Sequence, residues 1–292
     1  MRLRGKLRTF LKQHPNINPY RFSFDASFRY MTNSLRYLPH FLIIGGSKSG
    51  KWTVQSYLRQ HPQISSGTEK HYMLYWFDST FETNSIGWYR SHFPFKFTKK
   101  IVGEIPGTYL NHPLAPYRIK QVIPNVKMIN FLRNPVYRAY SAYNHAVIEG
   151  WEHSSFEDAL NSELERIEIK ETQSEKQLNN IDFVNYMEFS YLRHGLYAEN
   201  LKEWFKIFPK EQFMHYSTEE LDENFNKIMN ELFTEFNIKN ITLKKIKHQH
   251  VGNFKGSYAP MKDSTKDFLI DFYKKHNQKL FELIGKKFNW DE

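Results

Sequence analysis

Short apolar segments alternate with longer amphipathic segments along this chain. Each short segment is rich in β-branched or aromatic residues and runs into glycine or polar residues, which is typical of buried strands in a parallel sheet. The longer segments carry apolar residues at helical spacing. We therefore predict an α/β fold, with helices flanking a central parallel sheet, in one domain over residues 39–292. The predicted strands are 41–44, 101–104, 127–132 and 213–216, and the predicted helices are 54–61, 136–149, 195–208 and 264–289.

Two charged stretches depart from this alternation. Residues 1–38 hold eight basic side chains and one acidic side chain, and they form a predicted basic, partly helical lead-in to the domain. Such a lead-in is either a solvated arm packed on the domain or a contact to an acidic partner or lipid head groups. Residues 149–188 hold eleven acidic and three basic side chains, which predicts a solvated, surface-facing helical stretch or insertion.

The amino-acid composition narrows the classes of protein further. Aromatic residues make up 17% of the 292 residues, which supplies a sizeable core and excludes a mainly disordered chain. The absence of cysteine excludes disulfides, zinc–thiolate sites and a cysteine nucleophile. No apolar run approaches the roughly 18–20 residues that span a bilayer, and the basic start lacks the apolar stretch of a signal peptide. We therefore expect a cytoplasmic protein without a transmembrane segment.

The net charge of +10 comes mainly from two segments, residues 1–38 and residues 239–266. The second segment carries seven basic side chains and one acidic side chain. The rest of the chain is balanced or slightly acidic. Partners with negative charge, such as a nucleotide, a nucleic acid, an acidic glycan or a membrane surface, are compatible with this distribution.

A glycine-rich loop follows the first predicted strand, with the sequence Gly-Gly-Ser-Lys-Ser-Gly-Lys-Trp at 45–52. A loop of this kind between a strand and a helix is suited to phosphate, because its backbone N–H groups, its lysine and the helix N-terminus all attract anions. The P-loop nucleotide triphosphatase pattern fits at Gly45, Gly50 and Lys51, but Trp52 stands where a hydroxyl must hold magnesium. A second pattern of phosphate-binding loops has its lysine in the middle of the loop, and Lys48 fits this pattern. A tight turn with surface lysines is the structural alternative.

A second motif, Arg-Asn-Pro-Val-Tyr-Arg-Ala-Tyr-Ser at 133–141, follows the third predicted strand. Arg133 would leave the carboxyl end of that strand, where open α/β sheets bind ligands. Ser141 lies about two helical turns further along, so a guanidinium and a hydroxyl can converge on one phosphate. This second motif closely resembles one in the sulfotransferases that use 3′-phosphoadenosine 5′-phosphosulfate (PAPS). The loop around Lys48 also matches the spacing of their phosphate loop, although Lys51 and Trp52 depart from the small or hydroxyl residues that usually follow its second glycine.

Two further segments carry the same resemblance. The segment 251–261 contains Lys-Gly-Ser-Tyr at 255–258 and resembles the late loop that closes over the nucleotide in this family. The segment 195–209 resembles a helix of the family that begins with Gly-x-Tyr and ends in Phe-Pro. The resemblance covers about residues 40–290 and is nearest to the glycan-type sulfotransferases, such as those acting on heparan sulfate. It implies a P-loop-kinase-like sulfotransferase fold and an enzyme that needs PAPS and no metal ion.

The resemblance also implies roles for particular residues. Lys48 would stabilise the leaving group, and Glu69 or His145 would be the general base for an in-line transfer to a hydroxyl or amine. Acceptor contacts would come from His71, Glu104 and Tyr109, with Glu104 as a second carboxylate candidate for the base. The implied nucleotide contacts are Gly46, Ser47, Lys48, Ser49, Gly50, Lys51, Trp52, Arg133, Ser141, Lys255, Gly256, Ser257 and Tyr258.

Two departures from the family pattern lie close to the implied acceptor site. Thr68 and Ile105 each replace a lysine that relatives carry, which weakens any assignment of one acceptor. A carbohydrate is the first expectation, and a lipid or small alcohol is the second. A P-loop kinase or nucleotide triphosphatase and a non-catalytic nucleotide- or polyanion-binding protein remain as alternatives. No sequence-specific nucleic-acid partner is expected.

Overall fold

Among the residues that the structure describes, a parallel sheet of five strands forms the centre of the protein, and its strands, numbered along the chain, lie in the order β2-β3-β1-β4-β5. The computed structural model describes residues 24–65, 76–105, 107–171, 189–244 and 260–290. The strands are β1 Phe41–Ile44, β2 Ile64–Ser65, β3 Ile101–Glu104, β4 Lys127–Leu132 and β5 Phe213–Ser217. All four strands predicted from the sequence are confirmed. The pattern missed β2, because a strand of two residues is too short to produce one.

The helices that flank this sheet are α1 Phe24–Met31, α2 Lys51–Leu58, α3 Ile86–Ser91, α4 Ala115–Val122, α5 Pro135–Glu149, α6 Phe156–Glu171, α7 Tyr197–Ile207, α8 Thr218–Glu223, α9 Phe225–Glu235 and α10 Asp263–Ile284. A π-helical turn spans Trp76–Thr80. The predicted helices correspond to α2, α5, α7 and α10. The predicted α/β class with helices around a parallel sheet is therefore confirmed.

Helix α5 begins where the sequence provides its start signals. The side chain of Asn134 accepts a hydrogen bond from the N–H of Val136, and Pro135 occupies the first turn, where no N–H is needed. The helix ends at Gly150, which adopts a left-handed conformation. These signals fix the direction in which the helix leaves β4, and so they fix the position of the Arg133 segment.

The sheet is buried on both faces, which explains why β1 reads as a continuous apolar run. Leu42 and Ile44 belong to one core cluster, and Phe41 and Ile43 belong to the cluster on the opposite face. Gly103 in β3 accommodates the ring of Phe41, because a Cβ there would lie 2.1 Å from that ring. Burial on both sides is the usual state of a parallel sheet.

The described part of the acidic stretch contains the helix Phe156–Glu171, as predicted, but this helix is not simply solvated. Helix α6 buries Phe156, Ala159 and Leu160 in a core cluster with residues of α5 and α10. Glu163 of the same helix is also buried and accepts hydrogen bonds from the N–H groups of Leu192 and Arg193. Residues 172–188 lie outside the described ranges.

The last part of the predicted lead-in packs against the domain. Helix α1 contacts α3, and the buried guanidinium of Arg36 donates to the carbonyl of Phe93. The domain boundary at residue 38 stays a prediction, and residues 1–23 lie outside the described ranges. Within the described ranges, no helix combines the length and the apolar character needed to cross a membrane. The cytoplasmic location also stays a prediction.

Candidate functional site

The loop between β1 and α2 has a backbone that only particular residues can adopt. Gly45, Lys48 and Gly50 have positive φ angles of 143°, 68° and 73°. A Cβ at Gly45 would lie 2.0 Å from the carbonyl oxygen of Phe131 in β4, so this position requires glycine. Lys48 is not a glycine and still occupies the left-handed region, which is uncommon and often marks a functional loop.

The ammonium group of Lys51 turns back into this loop. Its Nζ donates to the carbonyl oxygens of Gly45 at 2.7 Å, Gly46 at 2.6 Å and Gly107 at 3.1 Å. Burial, with a smaller contribution from the charge of Arg138, lowers the pKa of Lys51 to about 7. Lys51 therefore ties the phosphate loop to the segment after β3, and its three hydrogen bonds are all made to the protein itself.

Two hydroxyl groups hold the rest of the loop. The Ser49 Oγ donates to the carbonyl of Gly46 at 2.7 Å. The Thr218 Oγ1 lies 3.0 Å from the carbonyl oxygens of both Ser49 and Leu132. Thr218 thus joins the phosphate loop to the end of β4. Among the other predicted nucleotide contacts, Ser47 and Trp52 are half-buried beside this loop.

Arg133 comes off the carboxyl end of β4, next to the phosphate loop. Its Nη1 donates to the carbonyl oxygen of Lys48 at 3.3 Å. Burial lowers the pKa of Lys48, the charge of Arg133 lowers it further, and Glu149 opposes the effect. Burial also lowers the pKa of Arg133, against the raising influence of Glu219 and Tyr197. The two predicted contacts are therefore brought together, and their positive charges converge where a bound anion would be stabilised.

The junction between β4 and α5 is braced by distant residues. Glu219 Oε1 accepts from the N–H of Asn134 at 3.1 Å, and its Oε2 accepts from the indole N–H of Trp290 at 3.1 Å. The Tyr197 hydroxyl donates to the carbonyl of Arg133 at 2.9 Å. Sequence reasoning did not assign these residues to the site, since they follow other strands or lie in other helices.

The second arginine of the motif, Arg138, packs against the phosphate loop at Gly46. It is fully buried, and its Nη2 donates to the carbonyl oxygens of Ser190 and Tyr191. Its Cδ lies 3.4 Å from the position that a Cβ on Gly46 would occupy. Its Nε and Nη1 have no hydrogen-bond partner within the described part of the chain. The repeated arginine in the motif was the signal that could have identified this support.

Ser141 and His145 lie one turn apart on α5 and are both half-buried. The His145 ring contacts the Trp151 ring edge-on, with centroids 5.8 Å apart. The predicted roles of Ser141 on a phosphate and of His145 as a base stay predictions.

Glu104 is buried at the end of β3. Its Oε2 accepts from the Tyr89 hydroxyl at 2.5 Å, and its Oε1 accepts from the Tyr109 hydroxyl at 3.0 Å. Burial and the Glu104 charge raise the pKa of Tyr89 well above its usual value. This geometry argues against Glu104 as the general base. An acceptor contact by Glu104 or Tyr109 stays a prediction.

The remaining predicted site residues, Glu69, His71, Lys255, Gly256, Ser257 and Tyr258, lie outside the described ranges, as does Thr68. Ile105, the other departure from the family pattern, is buried beside Glu104. Over the described ranges, no group of three or more His, Asp or Glu side chains is arranged to hold a metal ion.

Comparison with known proteins gives consistent results. The membrane-associated sulfotransferase kil1 of Dictyostelium discoideum is 26% identical over 87% of this chain and 66% of its own length. The mouse heparan sulfate glucosamine 3-O-sulfotransferase 6 is 27% identical over 88% of this chain and 75% of its own length. This chain therefore spans about two thirds to three quarters of the length of these relatives.

A solved sulfotransferase structure from Alicyclobacillus acidocaldarius superposes with a TM-score of 0.68 at 22% identity, covering 88% of this chain and 100% of that chain. The fold is therefore the sulfotransferase fold. The model of the sulfotransferase domain matches residues 38–281, which include the phosphate loop, Arg133, Tyr197 and Glu219. This protein belongs to the sulfotransferase domain family.

Proposed function

We propose that this sulfotransferase uses PAPS as donor and a hydroxyl or amine group of a carbohydrate as acceptor. The observation that carries the proposal is the convergence of Lys48 and Arg133, whose pKa values are both lowered and whose segments meet at the Arg133 Nη1 to Lys48 O contact of 3.3 Å. Two partly buried cations that repel one another favour a ligand with several negative charges.

The residues present fit such a donor. The phosphate loop presents backbone N–H groups and Lys48 to one phosphate, and the Arg133 guanidinium, with Ser141, is suited to a second phosphate. When bound, PAPS supplies an activated sulfuryl group, and the adenosine bisphosphate PAP remains as product. Arg133 and the loop would hold the nucleotide, so that the reacting group lies beside Lys48.

The protein's own contribution to the reaction is positioning and charge stabilisation. Lys48 would stabilise the negative charge that develops on the leaving oxygen, by analogy with phosphoryl transfer. A base within hydrogen-bond reach must accept the proton of the acceptor group. Glu69 or His145 would fill this role, since both oxygens of Glu104 already accept phenol hydrogen bonds.

Two observations bear on the choice between functions. The names of several relatives include heparan sulfate, which supports a carbohydrate acceptor rather than a lipid or small alcohol. The position of Lys51 speaks against a kinase or nucleotide triphosphatase, because that mechanism needs this ammonium on the phosphates, whereas here it is engaged by three carbonyl oxygens.

The test combines calorimetry of PAP binding with transfer of labelled sulfate from PAPS to a panel of glycans and small alcohols. We expect PAP binding, and transfer to at least one glycan that is lost in Lys48→Ala and in Arg133→Ala. Lys202→Ala, at an exposed position on α7, is the control and should keep full activity. Absence of PAP binding by the wild-type chain would overturn the proposal. Binding without sulfate transfer would instead support a non-catalytic protein.

A further inference from the structure

An exposed apolar surface lies on the side of the protein where β1 and β3 begin. We call it the amino-end surface, and it is formed by Phe28, Met31, Leu35 and Phe97. Their exposed fractions are 48%, 80%, 60% and 77%. Phe28 and Met31 lie three residues apart on α1, so they share one helix face. Singly scattered apolar residues are common on surfaces, but a contiguous group points to an interaction site.

Contacts between the segments bring Phe28 and Phe97 together, and Met31 and Leu35 lie on the same helix and in the turn that follows it. The rings of Phe28 and Phe95 lie 6.5 Å apart, and Phe95 stacks on Phe97 at 5.1 Å. The Nζ of Lys96 donates to the carbonyl of Ser34 at 3.2 Å. Helix α1 and the turn containing Leu35 are thereby held beside the segment that leads into β3.

The scaffold beneath this surface is firmly held. The buried Arg36 guanidinium lies 3.9 Å from the centre of the Phe95 ring and donates to the carbonyl of Phe93 at 2.9 Å. The hydroxyl of Tyr37 donates to the carbonyl of Lys96 at 2.8 Å. The exposed side chains therefore project from an anchored backbone, and their exposure is not the result of a loose loop.

Positive charge surrounds the apolar side chains. Residues 24–38 carry two basic residues, Arg29 and the buried Arg36, and one acidic residue, Asp25, while residues 94–100 carry three lysines and no acidic residue. Residues 1–23, which lie outside the described ranges, hold six basic residues and no acidic residue. Apolar side chains next to Lys and Arg are typical of surfaces that lie in the interface of an anionic membrane.

We propose that the amino-end surface docks this protein on an anionic phospholipid bilayer. A polyanionic glycan would be bound by the basic residues, but it would leave Met31, Leu35 and Phe97 exposed to water, so the apolar side chains favour the membrane. This proposal concerns a surface remote from the nucleotide loop and does not depend on the proposed function.

The topology of the sheet fixes the orientation of the docked protein. Residues 97–100 lead directly into the start of β3, whereas the phosphate loop and Arg133 follow the ends of β1 and β4. Since all strands are parallel, the amino-end surface and the nucleotide site lie at opposite ends of the sheet. A docked protein would therefore present its site to the aqueous phase, and vesicles should not compete with PAP.

The experiment is co-sedimentation of the full chain with vesicles of phosphatidylcholine alone or with about 30% phosphatidylserine. We expect binding to the anionic vesicles, weakened when salt is raised from about 0.1 M to about 0.5 M. The double variant Met31→Ser/Phe97→Ser should reduce the partition coefficient by at least about tenfold, because it removes apolar contact without changing charge. The control double variant, Leu114→Ser/Tyr117→Ser, alters side chains that are 50% and 54% exposed elsewhere and should bind as the wild type does.

Thermal unfolding of both double variants checks that they remain folded. Three results would overturn the proposal: no binding of the wild type to anionic vesicles, an equal loss in the control variant, or unchanged binding of Met31→Ser/Phe97→Ser. The last result would assign the binding to residues 1–23 alone. A heparin column run in parallel detects the remaining alternative, since loss of heparin retention in a Lys99→Gln/Lys100→Gln variant, with vesicle binding unchanged in Met31→Ser/Phe97→Ser, would assign the surface to a glycan.

Discussion

Two junctions between a strand and a helix build the nucleotide site, and they are stabilised in different ways. The β1–α2 junction is held largely from within, because Lys51 and Ser49 donate to carbonyl oxygens of the loop that precedes them. The β4–α5 junction is held from outside, because Glu219 and Trp290 brace it. A local motif can therefore specify the first junction almost completely, whereas the second depends on the whole fold.

The two junctions also touch. Gly45 packs against the carbonyl of Phe131, and Arg133 donates to the carbonyl of Lys48. A substitution that displaces one junction should therefore also displace the other. The loss of stability should be largest where the two backbones approach most closely.

The largest effect is expected from Gly45→Ala. A Cβ would lie 2.0 Å from the carbonyl oxygen of Phe131, at a φ of 143° that is strained for alanine. We expect a loss of about 3 kcal/mol or more in the free energy of unfolding, and loss of PAP binding in any protein that folds. Urea denaturation and calorimetry measure both quantities.

Gly150→Ala is the matched control for this change. Gly150 also has a positive φ, but no atom lies within 4 Å of the added Cβ. Gly150→Ala should lower the free energy of unfolding by about 1 kcal/mol and leave PAP binding unchanged. Equal costs at the two glycines would mean that the close approach of the junctions is unimportant.

Glu219→Gln tests the external brace of the β4–α5 junction. The amide can replace only one of the two accepting oxygens that serve Asn134 N–H and Trp290 Nε1–H. We expect a loss of about 2 kcal/mol in the free energy of unfolding and weaker PAP binding. The exposed Glu223→Gln on the same helix should be neutral by the same denaturation assay. If Glu219→Gln leaves the free energy of unfolding unchanged, Glu219 does not stabilise the β4–α5 junction.

Lys51→Met tests the internal tie through its pH dependence. The pKa of Lys51 is about 7 in the folded protein, below the ordinary value of about 10.4 that the unfolded chain should show. Between these values the unfolded chain binds more protons, so the stability of the wild type should rise with pH relative to the variant. The expected slope is up to about 1.4 kcal/mol per pH unit between about pH 7 and 9, measured by urea denaturation.

Lys51→Arg supplies the control, because a guanidinium does not titrate in this range. The variant should show no such rise when it is compared with Lys51→Met. If the difference in free energy of unfolding between the wild type and Lys51→Met does not change with pH, the Lys51 ammonium keeps its proton throughout this range.

The smallest effect is expected from Thr218→Val, which removes the hydroxyl between the two junctions. This hydroxyl lies 3.0 Å from the carbonyl oxygens of Ser49 and Leu132, and valine has nearly the same volume. We expect Thr218→Val to lower the free energy of unfolding by about 1 kcal/mol and to decrease the affinity for PAP slightly. Thr234→Val, at an exposed position on α9, is the control for the change of side chain, with urea denaturation as the measurement.

The sequence predicts most of the sheet because a strand buried on both faces needs an uninterrupted apolar run. In the described part of the chain, the four runs that we identified are four of five strands, and the fifth, Ile64–Ser65, is too short for this signal. The charge pattern of residues 149–188 predicts their helix but not the burial of Glu163. One carboxylate that accepts two backbone hydrogen bonds cannot be distinguished from its solvated neighbours by composition alone.

The same contrast applies to the site. Lys48 and Arg133 belong to local motifs, so their residue types and spacing identify them. Thr218 and Glu219 meet those motifs across 85 or more residues of chain, and no spacing rule indicates such a contact. The sequence places Tyr109 in the same segment as Glu104, but it gives no indication of Tyr89, whose hydroxyl also donates to this buried carboxylate.

The brace by Trp290 has a consequence for the order in which the protein matures. Trp290 accepts a hydrogen bond from the Asn134 side chain, 156 residues earlier, and donates to Glu219. A nascent chain on the ribosome therefore completes β1, β4 and the nucleotide loop long before the residue that braces them is synthesised. Until then nucleotide can stabilise the growing chain less than it stabilises the folded protein, because the site is not yet complete.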